Sequence, residues 1–245
     1  KNTFDVLYGI TFQSFWTSNQ AVSGDGYFID DIGDNDLGAV PSKETLVVGS
    51  GLSRQKKVSN LGRINYNYDG KYYLTATVRA DASSNFAADH KWGYFPSAAL
   101  KWNILKENFM KKATIFDELA IRISAGISGN DAISRYQSLS QLNSSSGGYL
   151  FGGSSPASYY PIRIANEGLT WEKTTSYDIG LDVSILKNRL GLTFDAYSSK
   201  TTDLLLTVQL PTQVGYSSRL TNIGKTSNKG VELAVDAKNI VHKNF

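Results

Sequence analysis

Two histidines and four closely spaced aspartates are the residues of this chain that could bind a metal ion. The histidines, His90 and His242, are far apart in sequence, so they are not expected to share a metal. The aspartates lie in the segment FIDDIGDNDLG and are Asp30, Asp31, Asp34 and Asp36. Their carboxylates could bind Ca²⁺, but their spacing does not match an EF-hand loop. A solvated acidic loop is therefore favoured, with a weak calcium site as the alternative, and no metal centre is predicted.

The composition argues against several classes of function. The chain has no cysteine, which excludes thiol chemistry and disulfide bonds. No catalytic constellation is present, so we predict that the chain is not an enzyme and needs no cofactor. Charged residues make up 19% of the chain and the net charge is +3, so nothing indicates that it binds nucleic acid.

Apolar and polar residues alternate through residues 55–102. Even-numbered positions are mostly apolar and odd-numbered positions mostly polar, as in strands with one apolar and one polar face. The aromatic residues fall near the strand ends, with small aliphatic residues between them. A soluble β-sandwich does not require that placement. An outer-membrane β-barrel does, because aromatic girdles flank its lipid-facing band and its interior is wet.

The alternation continues along the chain and predicts an all-β, antiparallel transmembrane β-barrel fold with about eight strands. The predicted strands are residues 3–16, 55–68, 71–81, 91–104, 118–128, 171–185, 189–203 and 226–238. The mean hydropathy of −0.26 is compatible with this fold, because alternation hides the hydrophobicity of barrel strands.

Long and short connections alternate between these strands, as do the extracellular loops and periplasmic turns of outer-membrane barrels. We therefore predict outer loops at residues 17–54, 82–90, 129–170 and 204–225. The third of these is expected to be structureless and functional because of its length and its low-complexity sequence. Asp69-Gly70 predicts a tight hairpin turn at the opposite end.

Two sets of residues are candidates for contact with a substrate or partner. The first comprises loop aromatics that could stack on sugars or contact a protein, with packing inside the loops as the alternative: Tyr149, Phe151, Tyr159, Tyr160 and Tyr216. The second comprises charged residues predicted to face the barrel lumen: Arg63, Arg79, Asp81, Lys101, Arg122, Asp178, Asp182, Asp195, Glu232 and Asp236. These could contact a plug or tune what passes, although a hydrated, salt-bridged wall is the favoured role.

Five blocks of the sequence resemble the barrel of SusC/RagA-type TonB-dependent transporters. They read GRINYNYDGKYYLTATVRADASSNF, KWGYFPSAALKWNI, LAIRISAGISGND, LTWEKTTSYDIGLDVSILKNRLGLTFDAYSSKTTDLLL and NIGKTSNKGVELAVDAK. They cover most of residues 55–240 in the order and at the spacing of the family. One departure is Ala80-Asp81-Ala82, where the family usually has Arg-Asp-Gly.

The resemblance implies that the chain is the C-terminal part of a larger barrel domain. Family members resemble a barrel of roughly 22 strands with an N-terminal plug. This chain would supply about eight of those strands, without the plug, as a multi-pass segment in the bacterial outer membrane. The chain starts on a strand without a signal peptide, as a mature or internal piece would.

The resemblance also implies a function in nutrient uptake of the Bacteroidetes type. Glycan oligosaccharides or peptides would be imported with energy from the TonB system, which would act through the plug region. A SusD-like surface lipoprotein and outer-membrane lipid would be the other partners. The alternative is a complete small outer-membrane barrel of about eight strands with a structural or adhesive role, and a soluble β-sandwich ranks third. Pairing of the first strand with the last would favour the small barrel.

Overall fold

The computed structural model describes residues 1–27, 30–145, 152–154 and 156–238. The chain divides into two compact units, one of Lys1–Phe12 with Lys57–Phe245 and one of Gln13–Lys56. In the described part of the chain, no helix is both long enough and apolar enough to cross a membrane.

The dominant element is one antiparallel sheet of eight strands, accompanied by two separate hairpins. The strands are β1 (Asn2–Ser23), β2 (Val47–Tyr68), β3 (Tyr72–Ser83), β4 (Trp92–Asn103), β5 (Phe116–Asn130), β6 (Gln141–Ser145), β7 (Ser158–Arg163), β8 (Glu172–Ile185), β9 (Leu190–Thr202), β10 (Leu205–Gln209), β11 (Ser218–Asn222) and β12 (Lys225–Ala237). The sheet runs β1-β2-β3-β4-β5-β8-β9-β12, and β6/β7 and β10/β11 form the hairpins. The prediction of an all-β, antiparallel barrel-type sheet with about eight strands is confirmed.

The register aligns apolar residues with apolar residues across the sheet, because each strand alternates with the same phase. One row is Leu74, Leu100, Ile123, Ile179, Ala196 and Val231, each opposite the next. We call the side that carries this row the apolar face, and the opposite side, which carries Arg63, Lys101 and Arg122, the polar face. Most of the large side chains of the apolar face are exposed, so that face is covered by no part of the described chain.

Aromatic residues mark one end of the apolar face on β2, β3 and β4, and the other end on β4. At one end Tyr68 is paired with Tyr72, and Tyr72 with Trp102. At the other end Trp92 and Tyr94 lie opposite Ala82 and Ala80. On β3 and β4, aliphatic residues fill the rows between these ends. The predicted placement of aromatics at strand ends is thus present in the folded sheet.

The β2–β3 connection is the tight turn that the sequence predicted. Asp69 has φ 54° and Gly70 has φ 66°, so both central residues are left-handed, as a type I′ hairpin turn requires. The Asn67 side chain accepts a hydrogen bond from the Gly70 amide at 2.8 Å. We call the end of the sheet with this turn and the β4–β5 and β8–β9 connections the turn end. The loop end carries the β3–β4, β5–β8 and β9–β12 connections.

The structure corrects the bounds of three predicted loops. The predicted loop at 17–54 is shorter, because β1 continues to Ser23 and β2 begins at Val47. The alternation does not reveal these strand ends, because many of their residues are polar. They still form strands, because backbone pairing needs no apolar face. The predicted loop at 129–170 contains hairpin β6/β7, so the expectation that it is structureless is wrong. The predicted loop at 204–225 contains hairpin β10/β11.

The sheet has two open edges. Its end strands are β1 and β12, which are not neighbours in the strand order. The side chains of both are exposed along nearly their whole length. A closed small barrel of eight strands would pair its first strand with its last, and the described sheet does not.

Candidate functional site

The polar face carries a network of charged side chains near the turn end. Arg122 Nε lies 3.0 Å from Asp182 Oδ2, and its Nη2 lies 2.8 Å from Asp195 Oδ1. Lys101 Nζ lies 3.0 Å from Glu118 Oε1 and 3.5 Å from Asp182 Oδ2. The network therefore joins β4, β5, β8 and β9 through two cations and three carboxylates.

Gly180 is the residue that lets this network cross a strand. In the register, Arg122 lies opposite Gly180, and Gly180 lies opposite Asp195. The Arg122 side chain thus reaches over β8 to a carboxylate on β9. A Cβ built on Gly180 would collide with Asp195 Oδ1 and lie 2.6 Å from Arg122 Nη2. The absence of a side chain at this position makes the Arg122–Asp195 contact possible.

We expect Gly180→Val to lower the free energy of unfolding by about 1–3 kcal/mol, because it displaces a paired arginine and carboxylate. Urea unfolding of the membrane-embedded protein would measure the change. Gly62→Val is the matched control, since a Cβ at Gly62 meets no atom within 4 Å. In an Asp195→Asn background the cost of Gly180→Val should shrink. An undiminished cost there would show that the ion pair is not the cause.

The other charged residues predicted for the lumen also lie on the polar face. Arg79 Nε donates to Asp81 Oδ1 at 2.8 Å, and Arg63 Nε donates to Thr77 Oγ1 at 3.2 Å. The register places the remaining three, Asp178, Glu232 and Asp236, on the same face. The sequence analysis missed Glu118, although it shares the even-numbered phase of Arg122 on β5.

A small buried core ties three connections together at the loop end. Its centre is Phe86, Phe95, Leu169 and Trp171, which are almost fully buried. The Trp171 ring centroid lies 5.4 Å from that of Phe86 and 5.3 Å from that of Phe95. Partly buried residues from β5 and from the β5–β8 and β9–β12 connections pack around this centre: Ile127, Ile133, Leu205 and Leu220. We call these eight residues the loop core.

Asparagine side chains satisfy the polar backbone around the loop core. Asn85 donates to the carbonyls of Asp131 and Ile133 at 3.3 Å each. Asn166 donates to the Leu220 carbonyl at 2.7 Å. The Asn222 amide donates to the Thr170 carbonyl at 2.8 Å, and its oxygen accepts from the Thr170 N–H at 2.9 Å. These bonds fix the β3–β4, β5–β8 and β9–β12 connections to one another.

The predicted loop aromatics are not gathered into one site. Tyr159 and Tyr160 are exposed neighbours on β7, so they point to opposite faces of hairpin β6/β7. The Tyr160 hydroxyl accepts a hydrogen bond from Asn143 at 3.1 Å. Tyr216 lies in the turn of the other hairpin and is partly buried. Tyr149 and Phe151 lie outside the described residues.

The four aspartates lie in a 3₁₀ helix, Asp30–Ala39. The side chains of Asp30, Asp31 and Asp34 lie outside the described part of the structure, and Asp36 is exposed. The side chains that are described include no group of three or more potential metal ligands. The weak calcium site stays a prediction.

The Glu107 carboxylate binds three side chains at the turn end. Its carboxylate accepts hydrogen bonds from Lys71 Nζ at 2.9 Å, the Tyr72 hydroxyl at 2.8 Å and Trp102 Nε1 at 3.3 Å. The bond from Lys71, followed by that from Tyr72, lowers the pKa of Glu107. The same carboxylate raises the pKa of Lys71. The β4–β5 connection is therefore attached to the β2–β3 turn, to the first residue of β3 and to the end of β4.

We expect this attachment to weaken in acid. Because the folded-state pKa of Glu107 is lowered, its contribution to stability is complete above the ordinary pKa of glutamate and is lost as the pH falls through the folded value. Glu107→Gln should therefore be less stable than the wild type at neutral pH, and the difference should vanish in acid. Unfolding midpoints across a pH series would test this. Glu167→Gln, at an exposed site of the loop end, is the control.

Comparison with known proteins agrees with the geometry of the sheet. The model of the family described as TonB dependent receptor-like, beta-barrel, matches residues 1–241. The TonB-dependent receptor P3 of Formosa agariphila is 40% identical over 82% of this chain and 20% of its own length. The TonB-dependent receptor SusC of Bacteroides thetaiotaomicron is 39% identical over 79% of this chain and 20% of its own length. The solved RagAB peptide transporter superposes over 100% of this chain and 26% of its own, with a TM-score of 0.87 and 24% identity.

The chain belongs to the TonB-dependent receptor-like β-barrel family of outer-membrane proteins. Its similarity to SusC, and the fold it shares with the RagAB transporter, agree with the SusC/RagA resemblance of its sequence blocks. It spans about a fifth of the length of the curated relatives it matches.

Proposed function

We propose that this chain forms part of the wall of a TonB-energised importer in the outer membrane, which takes up oligosaccharides or peptides together with a SusD-like lipoprotein. The observation that carries the proposal is a sheet with an exposed apolar face, a charged polar face and two open edges. The apolar face contacts lipid, and the polar face lines the lumen.

The open edges support a larger barrel. Unpaired backbone N–H and C=O groups at a sheet edge cannot be satisfied inside a bilayer, so barrels that cross membranes are closed. Strands β1 and β12 would therefore pair with further strands of the complete receptor. A complete small barrel with a structural or adhesive role is disfavoured, because it needs β1 and β12 to pair with each other.

The proposal assigns different roles to the two ends and to the polar face. The loop end, with hairpins β6/β7 and β10/β11, faces outside and contacts substrate or the lipoprotein. The turn end faces the periplasm. The Lys101–Arg122 network forms a salt-bridged lumen wall that contacts the plug, and the TonB system acts through that plug. This segment performs no chemistry of its own.

The peptide class is supported by a structural relative, and the oligosaccharide class by the resemblance of the sequence blocks to SusC/RagA-type transporters. The RagAB structure is that of a peptide transporter, and the name SusC belongs to a TonB-dependent receptor with higher sequence identity to this chain. Exposed tyrosines such as Tyr159 suit either class, because an aromatic face stacks on a sugar ring and also packs against a peptide.

Uptake by whole cells tests the function. Cells with the complete receptor and its neighbouring lipoprotein should accumulate labelled oligosaccharides or labelled peptides, and cells without a working TonB system should not. Tyr159→Ala with Tyr160→Ala should weaken uptake of the accepted class, whereas Tyr177→Ala, an exposed tyrosine of the apolar face, should not. Accumulation that does not require TonB would contradict energised import.

A further inference from the structure

The β4–β5 connection, residues 104–115, holds apolar side chains out in solvent. It is built from two 3₁₀ turns, Ile104–Lys106 and Asn108–Met110, followed by a backbone bond from the Ala113 amide to the Met110 carbonyl at 2.8 Å. Phe109 is 68% exposed and Ile115 is 72% exposed. Leaving such side chains in water forgoes the free energy of burying them. We therefore expect both residues to be covered in the assembled protein.

Three exposed lysines accompany these apolar residues: Lys106, Lys111 and Lys112. Within the described part of the chain, Lys111 and Lys112 make no ion pair. The one carboxylate of the connection, on Glu107, is already paired with Lys71. The surface is therefore apolar and cationic at once, which is the combination that binds the interface of a bilayer with anionic lipid.

The contacts of Glu107 determine where this surface lies. Tyr72 and Trp102, which donate to its Oε1, belong to the apolar face, and their rings are stacked with centroids 6.3 Å apart. The connection is therefore held beside the aromatic row at the turn end of the apolar face. In a barrel, such a row lies at the level of the lipid headgroups.

We propose that residues 104–115 form a phospholipid-binding collar, in which Lys111 and Lys112 bind the phosphates of anionic phospholipids while Phe109 and Ile115 enter the interfacial layer. Charge complementarity and continuity with the apolar face favour a bilayer over a protein as the occupant. The collar rests on the membrane placement in the proposed function, but it does not depend on what the receptor imports.

Native mass spectrometry of the complete receptor tests the collar. The wild type and the double variant K111Q/K112Q are titrated with phosphatidylglycerol and, separately, with phosphatidylcholine. We expect the wild type to prefer phosphatidylglycerol, and each lysine removed to weaken that binding about fivefold. F109S/I115S should weaken the binding of both lipids. The matched control is K91Q/K225Q, which removes two exposed lysines at the loop end.

Three results would overturn the collar. The first two are unchanged phosphatidylglycerol binding by K111Q/K112Q and an equal loss of that binding in K91Q/K225Q. The third is a rise in the melting temperature with inorganic phosphate alone that is as large as the rise with phosphatidylglycerol. The glutamine variants keep the length and polarity of exposed side chains, so we expect them to fold. Uptake measured on the same proteins separates the two proposals. Unchanged phosphatidylglycerol binding by K111Q/K112Q with TonB-dependent uptake intact overturns the collar alone, whereas uptake that does not require TonB contradicts the proposed function alone.

Discussion

Replacing Trp171 by alanine should destabilise the loop end by about 3–5 kcal/mol, the usual cost of emptying the site of a large buried aromatic. Trp171 is only 4% exposed and packs between Phe86 and Phe95, and its Nε1 donates to the Lys91 carbonyl at 2.9 Å. The substitution creates a cavity and also removes one of the two hydrogen bonds to that carbonyl, which still accepts from the Ser83 N–H at 3.1 Å. We expect local opening of the three connections, with the sheet still paired.

Hydrogen exchange measures this opening directly. Amides of residues 84–91, 131–138 and 204–222 should lose protection together in Trp171→Ala, because the loop core holds all three segments. Tyr159→Ala removes an exposed aromatic at the same end and should change stability by less than about 0.5 kcal/mol. If protection were lost in only one connection, the loop core would not be a cooperative unit.

A second large effect is expected on the apolar face. Leu74→Arg should lower the free energy of unfolding in lipid by about 1–3 kcal/mol, because a cation on a barrel strand costs about 2–4 kcal/mol at the middle of the bilayer and about 0–1 kcal/mol near its interface. Leu74 is exposed, lies opposite Leu100, and is flanked by aromatic rows toward both strand ends. Equilibrium unfolding in bilayers gives the value.

The neighbouring residue supplies the control for this experiment. Thr75 lies on the polar face, where its hydroxyl donates to Asn65 at 2.9 Å. Thr75→Arg should therefore cost only about the value of one hydrogen bond, roughly 1 kcal/mol, because its charge meets water. Equal costs at the two positions would contradict the assignment of lipid and lumen faces.

The sheet could be predicted because the sequence pattern that specifies each strand lies within that strand. The apolar phase of each strand is read within that strand, and the register then follows from matching phases, as for Leu100 opposite Ile123. Asp69-Gly70 signalled its turn by residue type alone. The prediction failed where a strand has no apolar face, as at the outer ends of β1 and β2.

The loop core could not be predicted because the residues that contact one another in it are far apart in the sequence. Phe86 and Trp171 meet although 84 positions separate them in the sequence. Phe86 belongs to no periodic pattern, and Trp171 is only the first residue of a predicted strand, so neither signals a buried contact. The asparagines that hold the backbone resemble ordinary loop residues. Of the candidate charged residues, the ion pairs of Arg122 and Lys101 needed the register as well as the alternation. Glu118, at the start of its strand, was missed for the same reason.

The two arms of the β5–β8 connection are hydrogen-bonded to each other at the base of hairpin β6/β7. The Asn166 amide donates to the Ser138 carbonyl at 3.1 Å, and the Asn166 side chain is held by Leu220 and Arg219. Meanwhile β5 and β8 pair directly with each other from Asn130 and Glu172 onward. Residues 139–165 are thus an insert. The contacts that close its base are made by residues outside it and do not depend on its sequence. We expect evolution to exchange or resize this insert freely, so that receptors of this type could change what they recognise while inheriting an unaltered wall.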